Sequence, residues 1–270
     1  MLLIERGYAN DNFFSSCVLL THPPFGILPA KAIKIVPQKA LLDKQEIVYE
    51  SLSLGGRTRI NAGLYLPGCP AEYDSWGKGW QWEDVGHVFS RSESRLEFDR
   101  GQRSPHKGEG GEWKTRIIRA EYESSKQYSH LHPQILWTNM SFANALTRMG
   151  VPCIDAYVDP QTPTCFGLYQ RRCLNAFGRR CSTYHAFLSK SLVAQRKNLT
   201  IVLGAYVQRI LFSTDSRKVR AIGLLVEGKD PMKWFTVRAR HEIVICGGAL
   251  VTPQLLLLRY ASLYGCILNN

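Results

Sequence analysis

Thirteen residues, Ser53-Leu-Gly-Gly-Arg-Thr-Arg-Ile-Asn-Ala-Gly-Leu-Tyr65, hold the densest concentration of chemistry in this chain. Gly55 and Gly56 allow the backbone to turn through positive φ and to approach a ligand closely, and Thr58 and Asn61 bring hydrogen-bonding side chains to the same turn. A plain turn between two strands fits the same residues. Seven histidines, at positions 22, 87, 106, 130, 132, 185 and 241, are scattered along the chain. His130 and His132 stand too far from other ligands to make a metal site. Cys165, Cys173 and Cys181 recur every eight residues among eight cysteines, whereas zinc sites use tighter pairs, so free thiols are expected rather than metal or disulfides.

A second stretch of interest runs from Glu242 to Leu258. Ile243-Val-Ile-Cys246 is apolar throughout, as in a strand buried on both faces, and Gly247-Gly248 follow it. Thr252 and Pro253 then read as N-cap and first residue of a helix that continues through Leu255–Leu258. Strand, glycine turn and helix make half of a dinucleotide-binding crossover. Such units place an acidic residue at the end of a neighbouring strand, where it bonds a ribose hydroxyl. Glu5, ending the short apolar run Met1–Ile4 and followed by Gly7, suits that position, as an ordinary surface glutamate also would.

The elements that must carry these residues follow from the patterning. Met1–Arg6 reads as a short buried strand. A helix capped by Ser182 presents Tyr184, Phe187, Leu188, Ser191 and Leu192 on one stripe and ends at Asn198. Four strand-like runs follow, beginning at Leu199, Tyr206, Val219 and Trp234, with short polar turns between them. The middle of the chain is irregular. It contains Trp76, Trp80 and Trp82, expected to pack as a core or lid, an exposed glycine-rich loop between Arg100 and Trp113, and a helix bearing Phe142, Leu146 and Met149 that stops at Gly150. The fold class expected is α/β, mixed α+β, with a partial Rossmann-like domain, a β-meander and an irregular segment.

Composition excludes several classes. With 45% hydrophobic residues in 270, a packed core is within reach and disorder is not indicated. No apolar run is long enough to cross a bilayer, and the N-terminal residues lack a secretory pattern, so the chain as written reads as cytoplasmic and without membrane partners. A net charge of +12 and a pI near 9.4 raise nucleic-acid binding, with Arg171-Arg172, Arg179-Arg180 and Arg217–Arg220 as its best support. No helix concentrates that charge, and a solvated basic surface with no nucleic-acid partner is the expectation.

Four segments together resemble the glucose-methanol-choline oxidoreductases, most of all fungal ones. They are LLIERG, LGGRTRINAGLYLPGCPAEYDSWGKGWQWEDV, GRRCSTYHAFLSKSLVAQRKNLTIVLGAYVQRILF and EIVICGGALVTPQLLLL, in the family's order and spacing. The resemblance implies FAD as a non-covalent cofactor, since Ile60 stands where some members carry a histidine bonded to the flavin. It implies that Glu5 holds the adenosine ribose, that Gly55, Gly56, Thr58, Asn61, Ala62, Gly63 and Leu64 lie along the pyrophosphate and isoalloxazine, that the Val207 backbone faces adenine, and that Cys246, Gly247 and Ala249 pass the ribose and phosphates. It further implies a discontinuous FAD domain over residues 1–75 and 179–258, a substrate-side segment over 76–178, and hydride transfer from a small-molecule alcohol or sugar.

Departures from the family pattern are also legible. Arg57 replaces a small residue after the glycines, where it would either pair with the pyrophosphate or obstruct it. After Leu258 the pattern is lost, and residues 259–270 form a divergent tail. The family's catalytic histidine belongs to a C-terminal segment that none of the seven histidines matches, so no catalytic residue is assigned. The expectation is an incomplete chain without turnover of its own. The alternative is a non-catalytic remnant or interaction module, with a basic nucleic-acid-binding protein behind it.

Overall fold

The computed structural model describes residues 1–9, 30–96, 108, 110–118, 141–142, 144–151, 153–154, 166–167, 170–213 and 219–268. Its strands are β1 (Leu2–Glu5), β2 (Ala30–Lys34), β3 (Ile47–Ser51), β4 (Glu93–Arg95), β5 (Trp113–Ile118), β6 (Cys153–Ile154), β7 (Phe166–Gly167), β8 (Gln170–Arg172), β9 (Thr200–Leu203), β10 (Tyr206–Phe212), β11 (Ala221–Glu227) and β12 (Trp234–Arg238). Its helices are α1 (Pro70–Asp74), α2 (Trp82–Ser92), α3 (Thr183–Phe187), α4 (Lys190–Ala194) and α5 (Gly248–Leu268). The chain divides into two compact units, one drawn from Met1–Asp11, Pro29–Arg57 and Lys190–Asn270, the other from Asn12–Leu28 and Thr58–Ser189.

In the first unit β1 runs parallel to β9, from Leu2 opposite Thr200 to Glu5 opposite Leu203. Strands β10, β11 and β12 form the antiparallel meander that the alternating pattern and polar turns predict. Val226 on the central strand is fully buried, and α5 packs on β10. A separate antiparallel pair, β2 and β3, leads into the glycine turn.

The end of β1 is held against the end of β3 by a second crossing. The Tyr8 N–H donates to Leu52 O at 3.2 Å, and the Leu54 N–H donates to Tyr8 O at 3.2 Å. The backbones meet so closely that a Cβ on Gly7 would overlap the carbonyl of Leu52 and the nitrogen of Ser53. Glycine at position 7 is therefore a packing requirement.

Three expectations for this unit need correction. Ile243–Cys246 is not a strand: it is irregular, and Val244 is 72% exposed. An all-apolar strand is stable between two partner strands, and among the described residues none lies beside it. The helix begins at Gly248, whose φ is +79°, so Thr252 and Pro253 lie inside α5 and do not start it. Pro253 is the sixth residue of α5 and has no N–H to donate to the Ala249 carbonyl, so the helix runs through it with one bond fewer. Finally, β1 is half-exposed, because its outer edge has no neighbour among the described residues.

The second unit is built around β4, β5 and β8, with β4 parallel and β8 antiparallel to the central β5. Glu93 is a buried carboxylate of this unit. The carboxylate accepts the Thr115 hydroxyl at 2.6 Å and Arg95 Nε at 3.2 Å, while the Gly111 N–H donates to Glu93 O at 3.1 Å. Burial demands such satisfaction of a carboxylate. The helix expected from Ser182 to Asn198 is broken at Leu188–Ser189 into α3 and α4, and Ser182 does cap the first piece, with its N–H donated to His185 Nδ1 at 3.2 Å.

Trp76, Trp80 and Trp82 do gather, but at the surface. Tyr73 lies 5.2 Å from Trp76 and 5.4 Å from Trp82, and Trp82 stacks on Phe89 at 5.8 Å between ring centres. Trp76 and Trp80 keep more than half their area exposed, so the cluster caps α1 and α2 from outside. The helical run 144–148 does end at Gly150, whose φ is +81°, with Phe142 and Met149 exposed. His22, His106, His130, His132, Cys165 and most of the loop between Arg100 and Trp113 lie outside the described residues.

Cys173 and Cys181 face each other across a hairpin in which the Cys181 N–H donates to Cys173 O at 2.9 Å. Both are buried free thiols, whereas Cys246 is exposed. Burial pushes the Cys173 thiol up to about 11 and raises that of Cys181. At pH 8 only about one in 10³ Cys173 thiols is then the reactive thiolate. Peptide mass mapping after brief alkylation at pH 8 is expected to find Cys246 modified, with Cys173 and Cys181 at least about 100-fold slower. Equal labelling of the three would contradict the packing.

Candidate cofactor site

In the first unit Glu5, the approach to the glycine turn and the start of β10 meet at the carboxyl ends of β1 and β9, the end of a parallel pair at which α/β proteins bind ligands. Glu5 terminates β1, and one carboxylate oxygen accepts the Gly7 N–H at 2.7 Å, which orients the side chain at the strand end. The Gly204 N–H donates to Gly7 O at 3.0 Å and the Ala205 N–H to Glu5 O at 3.1 Å. These bonds lead the chain past Glu5 into β10, where Val207 pairs with Val226 ahead of a bulge. Through the Tyr8–Ser53 bridge the glycine turn is anchored to this same strand end.

Gly55 and Gly56 both adopt the left-handed conformation, with φ of +100° and +57°. The Gly56 N–H closes the turn on Ser53 O at 2.9 Å. A Cβ on Gly56 would meet nothing within 4 Å, so its backbone faces open space and not a packed wall. That is the cradle a cofactor requires, and with a carboxylate at the adjoining strand end it fits the ribose and phosphates of a dinucleotide. Arg57 is exposed. Cys246 and Gly247 lie on the exposed lead into α5, and Ala249 is exposed in its first turn.

The second unit holds the remaining candidates. Thr58 Oγ1 accepts the Thr183 N–H at 3.1 Å and lies 2.9 Å from the Thr183 hydroxyl, so Thr58 serves the first turn of α3. Asn61, Ala62 and Leu64 are exposed, and Gly63, with φ of +74°, is buried beneath them. The Cys173 N–H donates to Gly63 O at 2.7 Å, and Arg172 Nη1 donates to Ala62 O at 2.7 Å. Ile60 is buried in the unit's core.

Arg180 is the residue that sequence reasoning missed. Its Nη1 donates to Thr58 O at 3.3 Å, Asn61 O at 2.7 Å and Asn61 Oδ1 at 2.8 Å. Its side chain is buried and makes no ion pair with a carboxylate among the described residues. Burial, with Arg59 as the next cause and Arg172 adding to it, lowers its pKa to about 10, so it stays cationic at neutral pH. Arg59 is equally buried, over the ring of Tyr184 at 5.1 Å. These guanidiniums therefore sit in the interior, not on the basic surface that the Arg171–Arg180 cluster suggested. The only sequence signal was position, two residues before the Ser182 cap.

A parallel strand pair ending in a carboxylate, tied to a left-handed glycine turn, is an arrangement with which α/β proteins hold a dinucleotide cofactor. The chain belongs to the GMC oxidoreductase family, whose N-terminal model matches residues 15–259. It is 24% identical over 271 residues to the dehydrogenase str4 of Strobilurus tenacellus, covering 96% of this chain and 41% of that protein. It is 29% identical over 264 residues to an oxygen-dependent choline dehydrogenase of Stenotrophomonas maltophilia, covering 95% and 42%. In fold it matches pyridoxine 4-oxidase from Mesorbium loti with a TM-score of 0.75 and 23% identity, over 94% of this chain and 46% of that one. The chain thus spans less than half the length of these relatives, and they do not single out the fungal members. Among the described residues no helix is long and apolar enough to cross a membrane.

Proposed function

We propose that this chain carries the FAD-binding part of an oxidoreductase that oxidises the CH–OH group of a small alcohol or sugar. The observation that carries the proposal is the left-handed Gly55-Gly56 turn, open at Gly56 and fastened to the strand end that bears Glu5. In this reading Glu5 accepts ribose hydroxyls, Gly55, Gly56 and Thr58 follow the pyrophosphate, and Asn61, Ala62, Gly63 and Leu64 face the isoalloxazine. The Val207 backbone faces adenine, and Cys246, Gly247 and Ala249 pass the ribose and phosphates. Residues 1–75 and 179–258 then form the cofactor side and 76–178 the substrate side, with the divergent tail beyond.

FAD, when bound, supplies the hydride acceptor. The residues assigned to hold it are the Glu5 carboxylate, the glycine turn whose backbone is open at Gly56, and the Asn61 loop. No linkage to Ile60 is chemically available, so binding is non-covalent. No side chain of this chain is assigned as the base that takes the hydroxyl proton. The relatives' names, choline dehydrogenase and pyridoxine 4-oxidase, support small hydroxylated substrates as the class.

The test is retention of flavin. Chain 1–270 is expected to leave a desalting column yellow after incubation with FAD, with about one flavin per chain and no flavin left on the protein after acid precipitation. A colourless protein that remains folded by circular dichroism would overturn the proposal in favour of a non-catalytic module.

A further inference from the structure

The orientation of the Asn61 side chain is decided by its neighbours. Oδ1 lies 3.0 Å from the Gly63 nitrogen and 2.8 Å from Arg180 Nη1, and both of these are donors only. An amide nitrogen placed there would set three donors against one another, so the oxygen must occupy that position. Its two lone pairs are then used. What Asn61 has left to offer is its NH2 group, on an exposed residue.

We propose that Arg180 is a positioning residue that fixes Asn61 as an outward hydrogen-bond donor, so that this loop recognises an acceptor on its ligand. The inference rests on the flavin-binding proposal and sharpens it. On an isoalloxazine the acceptors are the two carbonyl oxygens and the N1 and N5 nitrogens, whereas N3–H is a donor, so the loop selects the former and excludes the latter. Two features support the clamp. Arg180 reaches both the backbone and the side chain of Asn61 as well as Thr58 O, so one planar group ties down the whole 58–61 turn across more than a hundred residues of sequence. With no carboxylate among the described residues drawing the guanidinium elsewhere, its charge also polarises the Asn61 carbonyl and makes the NH2 a better donor.

Asn61→Asp separates this role from a purely structural one. One carboxylate oxygen keeps the Gly63 N–H and gains an ion pair with Arg180, while the other replaces the outward donor with an anionic acceptor. The full chain carrying N61D is expected to melt at or above the wild-type temperature and to bind FAD at least about tenfold more weakly, measured by quenching of flavin fluorescence. A merely structural Asn61 would move stability and affinity together.

A double-mutant cycle adds the second arm. Arg180→Gln is expected to weaken FAD binding in the wild-type background, with partial rescue in Arg180→Lys. In the N61D background the same change is expected to cost little further affinity, because the donor it positions is already gone. If Arg180→Gln does not fold, N61D alone still decides. Wild-type chain that binds no flavin defeats the cofactor proposal and this inference with it. Wild-type chain that binds flavin while N61D binds it equally well overturns the Asn61 inference alone.

Discussion

Gly7→Ala is expected to destabilise the chain by more than about 3 kcal/mol, the upper range for an overpacked site. The added methyl group has no flexible side chain to displace. It meets the carbonyl of Leu52 and the nitrogen of Ser53, both backbone atoms fixed by the bonds that join Tyr8 to Leu52 and Leu54. Either β1 or the glycine turn must move, and the two are the halves of the same candidate site. Thermal unfolding by circular dichroism is expected to fall by roughly 6–12 °C, taking 2–4 °C per kcal/mol for a domain of this size. Gly56→Ala is the control: its Cβ enters open space, and its cost is only the left-handed backbone penalty of about 1–2 kcal/mol. If the two variants lose equal stability, the crossing at Gly7 is not as tight as described.

Glu93→Ala is the other large effect, and it acts in the second unit. Removing the carboxylate strips the Thr115 hydroxyl and Arg95 Nε of their acceptor in an environment where Glu93 and Thr115 are buried. Breaking a buried pair from one side costs about 3–5 kcal/mol, because the desolvation of the remaining charge is no longer offset by this carboxylate. Glu93→Gln keeps the acceptor for Thr115 and is expected to lose less. Chemical denaturation at pH 7 of the two variants beside wild type checks the order, and an alanine variant as stable as wild type would show that Arg95 finds water instead.

Neither effect could be assigned from sequence. Gly7 drew notice only as the glycine two residues after Glu5, and the surroundings of Glu93 carried no motif. A glycine's need for glycine is set by the backbone that crosses it, and a glutamate's burial by strands that meet it from elsewhere.

What the sequence determined by itself was local and repetitive. Alternating apolar residues and polar turns specified β9 to β12 and the meander of the last three, because a strand's period is written in neighbouring residues. The paired glycines specified a left-handed turn, and Ser182 a helix start, for the same reason. Order and spacing of four segments sufficed for the family. The apolar run Ile243–Cys246 misled, since a buried strand needs partners on both sides and its own residues cannot declare whether they are present.

Tertiary structure alone decided the polarity of the Asn61 loop. Arg180 lies 119 positions from Asn61 and reads in sequence as half of a basic pair, yet folding buries it and turns its Nη1 onto the one amide oxygen that could otherwise have faced a ligand. Hydrogen-bond polarity at a site depends on which donors and acceptors are already consumed within the protein, and that accounting exists only once distant segments are brought together.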